Sequence, residues 1–351
     1  MATVSDARAR ARLAWWLGPW SPPDRGSRGI ERWKIDVGGG SYVYRGERPR
    51  LAWLISPGLH PAGPDDPRVD RFARVLAAAG ALVVSPRSPT FVGLRLGAGA
   101  IADLAAARTA LAGLAEAHGL PVRIVSPSVG SLAALHLAAD AAAAVERTVL
   151  LGGYVDAVAL ARSFSGGDAA PRDTTNTPVA MATLLDQVPA AIADPAALRE
   201  AWDDVVREVW AVPAWTRAGS VAHHAVAKRR AATVAAADRE LFLIGCGVVP
   251  GAAALTAAAI TSGAHAHLEL RPLLPRIRGE LVAFHGPGDA VVPVEQLDAL
   301  LAAAPRARGY RLAGLDHGGP RDLRELAAAL SPRALAAELR AFAALIAALA
   351  P

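Results

Sequence analysis

The chain carries one cysteine, Cys246, among its 351 residues. That excludes an intrachain disulfide and any metal site built on clustered thiolates. It fits a reducing compartment, so a cytoplasmic location is expected. Aromatic residues make up 5% and methionines number 2. Lysine is scarce: Lys34 and Lys228 leave nearly all positive charge to arginine. The net charge is +5, but the arginines are scattered among acids, and no nucleic-acid partner is expected. The run Lys228-Arg229-Arg230 reads as a solvated helix end. Also absent is an apolar run of the roughly 18–20 residues that span a bilayer without a charge, Gly or Pro. The N-terminus mixes arginine with tryptophan and is broken at Gly18-Pro19, with no small-residue cleavage site after it. It reads as a packed helix, or alternatively an interfacial one, and not as a signal peptide.

What is present is ample apolar material, 53% of residues, much of it alanine. Short apolar runs alternate with helical periodicity. Arg32–Val37 and Tyr42–Arg45 read as strands around a Gly38-Gly39-Gly40 turn. Leu51–Ser56 is a buried strand closed by Pro57-Gly58. Asp66-Pro67 opens a helix, with Asp66 as cap and Pro67 at the first helical position, and Gly80 stops it. Strands follow at Ala81–Ser85, Val122–Val125 and Thr148–Leu151, with helices at Ile101–His118 and from Val129 to about Asp140. The pattern resumes with a strand at Leu281–Phe284, a helix at Val294–Leu301, a strand at Gly309–Leu312 and a final helix from Ser331-Pro332. Alternation of this kind predicts an α/β fold with a mostly parallel central sheet and helices on both faces.

Residues 155–275 interrupt that alternation. The stretch is too long for a structureless loop, and its apolar spacing is helical (Leu198, Trp202, Val205, Val206, Val209). It is expected to be an inserted helical cap, with residues 1–154 and 276–351 forming the core. Its start, Ser163–Asn176, is rich in Gly, Asp, Ser and Thr and reads as a mobile linker.

The chemistry is concentrated at Ser126-Pro127-Ser128-Val129-Gly130, between the strand Val122–Val125 and a helix. A serine nucleophile on a sharp strand-to-helix turn needs small residues two places before and two places after it. Ser128 has Ser126 and Gly130 there. Ser126 has Ile124 at minus two and Ser131 has Val129, so both are sterically excluded. A competing reading makes the segment a polar turn that caps a helix. Asp289 follows the strand Leu281–Phe284 in a glycine-rich turn, and His317 follows the strand Gly309–Leu312. The order Ser128, Asp289, His317 suits a triad in which the acid orients the histidine and the histidine takes the serine proton. Backbone N–H groups of Val129 and of Leu59, in Pro57-Gly58-Leu59-His60-Pro61, are the expected oxyanion donors. His60 reads as a structural loop residue.

Together these residues resemble the α/β-hydrolase superfamily over 1–154 and 276–351. The run Pro57-Gly58-Leu59-His60-Pro61 with Asp65-Asp66-Pro67-Arg68, and Leu274-Pro275-Arg276-Ile277-Arg278, look like a group of bacterial members of poorly defined substrate. Ser126 departs from the glycine usual at that place. The resemblance implies a serine hydrolase, esterase-like or lipase-like, with no cofactor. Serine at the elbow argues against the aspartate-dependent dehalogenases and epoxide hydrolases of this fold.

His265 with His267, and His223 with His224, lack acidic or cysteine partners at ligand spacing, so no metal site is expected. The expected reaction is hydrolysis of a small-molecule carboxylic ester with an apolar group, and Trp202, Trp210 and Trp215 are candidates to line the pocket or to pack the core. An acyltransferase or thioesterase, a peptidase, and a non-catalytic binding protein are the other readings.

Overall fold

The computed structural model describes residues 4–18, 29–166, 173–216, 219–317, 319–320, 326 and 330–351. Its strands are β1 (Glu31–Ile35), β2 (Ser41–Arg45), β3 (Leu51–Ile55), β4 (Ala81–Ser85), β5 (Val122–Pro127), β6 (Arg147–Leu151), β7 (Glu280–His285) and β8 (Arg308–Arg311). The helices are α1 (Val4–Leu17), α2 (Pro67–Ala78), α3 (Pro89–Val92), α4 (Gly99–Glu116), α5 (Ser131–Ala139), α6 (Ala157–Phe164), α7 (Thr177–Leu184), α8 (Pro195–Trp210), α9 (His223–Ala231), α10 (Arg239–Gly245), α11 (Ala252–Thr261), α12 (Glu295–Ala303) and α13 (Pro332–Leu349).

The strands form one sheet in the order β1-β2-β4-β3-β5-β6-β7-β8. Pairing is antiparallel at β1–β2 and β2–β4 and parallel from β4 through β8. The expected α/β class holds, with element ends shifted by a residue or two. The caps are those the sequence suggests: the Asp66 side chain accepts from Arg68 N–H at α2, and Ser331 accepts from Ala334 N–H at α13.

The period of two along each strand divides the core into two layers. Ala52, Leu54, Leu82, Val84 and Ile124 face α4, α5 and the helices of 155–275. Leu51, Trp53, Ile55, Val83 and Val125 face α1, α2 and α13. The N-terminal helix is packed, with Leu13 fully buried, although Trp15 is exposed. Residues 19–28 lie outside the described residues.

Among the described residues, six α-helices, α6 to α11, fall between β6 and β7. The two ends of this segment are tied together at the sheet. Gln296 on α12 accepts from Val155 and Asp156 N–H, Leu270 N–H bonds to Val155 O, and Glu269 accepts from Ala157 N–H. The linker expectation for Ser163–Asn176 needs correction. Its flanks, Ser163 and Ser165 on one side and Asp173, Thr175 and Asn176 on the other, are buried. Ser165 Oγ donates to Ala161 O, Thr175 Oγ1 and Asn176 Nδ2 donate to Asp173, and Thr177 Oγ1 donates to Phe164 O, so the polarity around these flanks belongs largely to a buried network. Residues 167–172 lie outside the described residues. Among the described residues, no helix is long and apolar enough to cross a membrane.

Candidate active site

Parallel pairing brings the C-terminal ends of β3, β5, β6, β7 and β8 to one edge, and the segments that leave β3, β5, β7 and β8 hold Leu59, Ser128, Asp289 and His317. Ile55 pairs with Val125, so the loop after β3 runs beside the turn after β5.

Ser128 stands at the turn after β5 with φ +54°, a left-handed backbone rare for a residue with a side chain. Its Oγ lies 2.9 Å from His317 Nε2. Pro127 is the residue before the helical turn Ser128–Gly130, so Ser128 is not acting as a helix cap. The small neighbours are needed for the expected reason. A β-carbon at Gly130 would sit 2.4 Å from Pro57 O, 2.5 Å from Ser56 O and 2.8 Å from Ser126 Oγ. Ser126 is itself fully buried at this crossing, and Ser56 Oγ donates to Gly130 O, stitching the two loops together.

Asp289 follows β7. Its Oδ2 is 2.9 Å from His317 Nδ1, and its Oδ1 accepts from Val291 and Val292 N–H. Burial alone would raise the Asp289 carboxyl, but the hydrogen bonds from His317 and the two backbone amides hold it below its ordinary range. Gly152, at the end of β6 with φ +64°, allows the backbone to approach: a β-carbon there would lie 3.1 Å from Asp289 Oδ2. His317 sits between the short paired segments Leu315–Asp316 and Gly319–Pro320. Its side chain is 24% exposed, against 3% for that of Asp289, so the relay is open to solvent on the histidine side.

The loop after β3 presses on the nucleophile. A β-carbon on Gly58 would be 3.4 Å from Ser128 Cβ. Leu59 and Val129 therefore flank Ser128 from two loops, and Val129 is buried. Leu59 also packs with Trp210 on a small separate cluster of Leu94, Val179 and Val206, an apolar wall beside the site. His60 is held in its loop: Nδ1 lies 3.2 Å from Asp66 Oδ2, and burial lowers its pKa although Asp66 opposes the effect.

The three tryptophans part company. Trp202 is fully buried, with Nε1–H donated to Phe242 O, and belongs to the core. Trp215 is partly buried against the same core. Trp210 reaches the site. It stacks on His60 with ring centroids 6.2 Å apart, and its Nε1–H donates to Thr175 Oγ1. A small cavity among Leu96, Tyr154, Phe164 and Leu268 has a volume of ≈ 20 Å³. That is room for about one water and not for an acyl chain.

Three residues at the site escape sequence reasoning. Asp173 is buried, its N–H bonds to Ala290 O beside the acid, and it is close enough to His317 to feel its charge. His285, fully buried, donates from Nε2 to Val292 O, whose own amide holds Asp289, and lies 3.7 Å from Asp289 Oδ2. Gln296 anchors the start of the inserted helices. His285 stands four residues before Asp289, and that spacing was the available signal; nothing local marks the other two. The pairs His223–His224 and His265–His267 contact each other as rings, and among the described residues no group of three or more His, Cys, Asp or Glu is placed to hold a metal.

No protein-family model matches the chain, and no curated protein matches it. Solved structures do. A membrane phospholipase A described as a bacterial virulence factor is 16% identical, with 91% of this chain and 87% of that one covered and a TM-score of 0.43. A serine hydrolase from the polyaromatic hydrocarbon-degrading bacterium Cycloclasticus zankles is 14% identical, with coverage of 82% and 90% and a TM-score of 0.40. The thioesterase domain from the curacin biosynthetic pathway is 15% identical, with coverage of 91% and 99% and a TM-score of 0.42. The fold assignment rests on the strand order and crossovers described above, and these make the chain α/β-hydrolase-like in architecture.

Proposed function

We propose that the chain is a serine hydrolase that cleaves a carboxylic ester through an acyl-enzyme. The observation that carries this reading is the relay of two 2.9 Å contacts, Ser128 Oγ to His317 Nε2 and His317 Nδ1 to Asp289 Oδ2, starting from a serine with left-handed backbone.

His317 takes the Ser128 proton as Oγ attacks the ester carbonyl, and Asp289 holds the imidazole in the required tautomer and stabilises its cation. The N–H groups of Leu59 and Val129 receive the oxyanion. The tetrahedral intermediate collapses, the C–O bond to the alcohol breaks, and His317 returns the proton to the leaving oxygen. Water, deprotonated by the same histidine, attacks the acyl-enzyme, and the acid leaves with Ser128 regenerated. No step calls for a cofactor.

Residues 155–275 act as a cap on the core of 1–154 and 276–351, with Trp210 and the Leu94–Val179–Val206 wall beside Leu59 receiving an apolar acyl group. A fluorophosphonate probe is expected to label Ser128, and p-nitrophenyl esters of graded chain length to be hydrolysed. Ser128→Ala should lose both labelling and at least about 10⁴ of kcat. Undiminished turnover by that variant would remove Ser128 from the mechanism, and a folded wild type that neither labels nor hydrolyses would favour a binding protein.

A further inference from the structure

The acid of the relay stands on a turn with little side-chain bulk to fix it. Gly286-Pro287-Gly288 joins β7 to Asp289, and a β-carbon on Gly288 would meet nothing within 4 Å. Asp289 N–H bonds to Gly286 O, and the N–H groups of Val291 and Val292 bond to Asp289 Oδ1. These bonds are local. They shape the turn, but they do not set where its carboxylate lies relative to His317, which comes from the chain after β8.

His285 connects that turn to the sheet. It is the last residue of β7, it pairs with Arg311 of β8, and its carbonyl accepts from Leu312 N–H. Its backbone thus belongs to the frame from which the chain leads to His317. Its side chain is fully buried and donates from Nε2 to Val292 O at 2.8 Å. Val292 is therefore held on both sides, its O by His285 and its N–H on Asp289 Oδ1. The imidazole is not a second partner of the acid. Nε2 lies 3.7 Å from Asp289 Oδ2, beyond a hydrogen bond, whereas His317 Nδ1 lies at 2.9 Å. Among the described residues, Asp289, Glu295 and His317 are the titratable groups whose charge reaches His285. Burial outweighs the two carboxylates and favours the neutral ring. A neutral ring with its hydrogen on Nε2 can donate to Val292 O without setting a second cation beside Asp289. An aliphatic residue would suit the other buried side chains of β7, Leu281 to Phe284, but it would leave the Val292 carbonyl without this donor.

We propose that His285 is a positioning residue for the acid, which steers the Asp289 carboxylate onto His317 by anchoring Val292. This deepens the reading given above and rests on Asp289 and His317 as its acid–histidine pair.

Histidine titration by NMR on the substrate-free protein reads that pair without any turnover, the His317 signal being identified by its loss in His317→Gln. Wild type, Asp289→Asn, His285→Asn and His285→Gln are compared. Glutamine reaches far enough to donate to Val292 O, and asparagine is a methylene too short. The His317 midpoint in His285→Asn is expected to move toward that of Asp289→Asn, and in His285→Gln to return toward wild type. In ester turnover, His285→Asn should lose about tenfold to a hundredfold in kcat with KM changed by about twofold or less, and glutamine should recover most of the loss. Added to Asp289→Asn, the same substitution should cost little more, because both act on one carboxylate. His285→Met, which fills the space without a donor, takes the place of asparagine where a circular-dichroism melt shows that variant unfolded. The proposal falls if the His285→Asn midpoint stays at the wild-type value, if wild type titrates like Asp289→Asn, or if the two losses in kcat multiply. If no ester turns over and Ser128 resists the probe, a His317 midpoint that still follows His285 keeps the positioning role while the hydrolase reading fails.

Discussion

Ser128, Gly130 and Asp289 each solve a different local problem. A left-handed φ costs Ser128 of the order of 1–3 kcal/mol, and the stitched crossing of Ser56, Pro57 and Gly130 opposes that strain. Asp289 offers one oxygen to His317 and the other to two backbone amides, so its orientation does not depend on the histidine alone. Asp289→Asn is therefore expected to keep the fold while kcat falls by about 10⁴, because an amide that donates to Nδ1 would select the wrong tautomer. Ester turnover with a circular-dichroism melt checks both halves of the statement. Retention of full turnover would mean that His317 works without the acid.

At the scale of elements, the inserted helices are held by a few close approaches. Trp202 of α8 lies across Gly245 at the end of α10, where a β-carbon would sit 2.4 Å from the indole ring. Gly245→Ala should then cost about 1–3 kcal/mol through overpacking, read as a lower urea midpoint with an unaltered m-value. His223, at the start of α9, is buried beside His224 and bonded to the backbone of Cys246, and burial pushes it down to about 4. The folded pKa is depressed, so between about 6.5 and 4 the unfolded chain binds the extra proton. Stability is present above that window and is lost as pH falls through it. His223→Gln is expected to flatten this part of the stability-versus-pH profile; an unaltered slope would assign the acid sensitivity to another group.

Across the whole molecule, the sheet and the last helix lock each other. The end carbonyls of α13 would otherwise be orphaned. Trp53 donates to Leu349 O, Arg123 to Ala350 O and Arg147 to Ala348 O, so three central strands grip one helix terminus. Two guanidinium groups also oppose the negative end of the helix dipole. Arg123 pairs in addition with Glu146. Arg123→Met should lower unfolding free energy by roughly 1–3 kcal/mol, with slower recovery of native fluorescence after dilution from denaturant excluded as the cause by an equilibrium measurement. No loss of stability would mean that Trp53 and Arg147 suffice.

Local physics made much of this molecule legible in advance. Continuous apolar runs at Leu51–Ser56 and Ala81–Ser85, cap-plus-proline starts at Asp66-Pro67 and Ser331-Pro332, and small residues around Ser128 are all short-range signals, because the forces behind them act within one turn or one strand. They determined the elements, the alternation and the elbow, and chain order then nominated Asp289 and His317. Strand order, the burial of Asp173, Thr175 and Asn176 and the stacking of Trp210 on His60 depended on contacts between segments far apart in the chain. No periodicity records those. A polar run such as Asp173-Thr174-Thr175-Asn176 has the composition of a surface linker, and only the fold, by supplying hydrogen bonds to Asp173 and Asn176, decided that these residues are buried next to the loop of the acid.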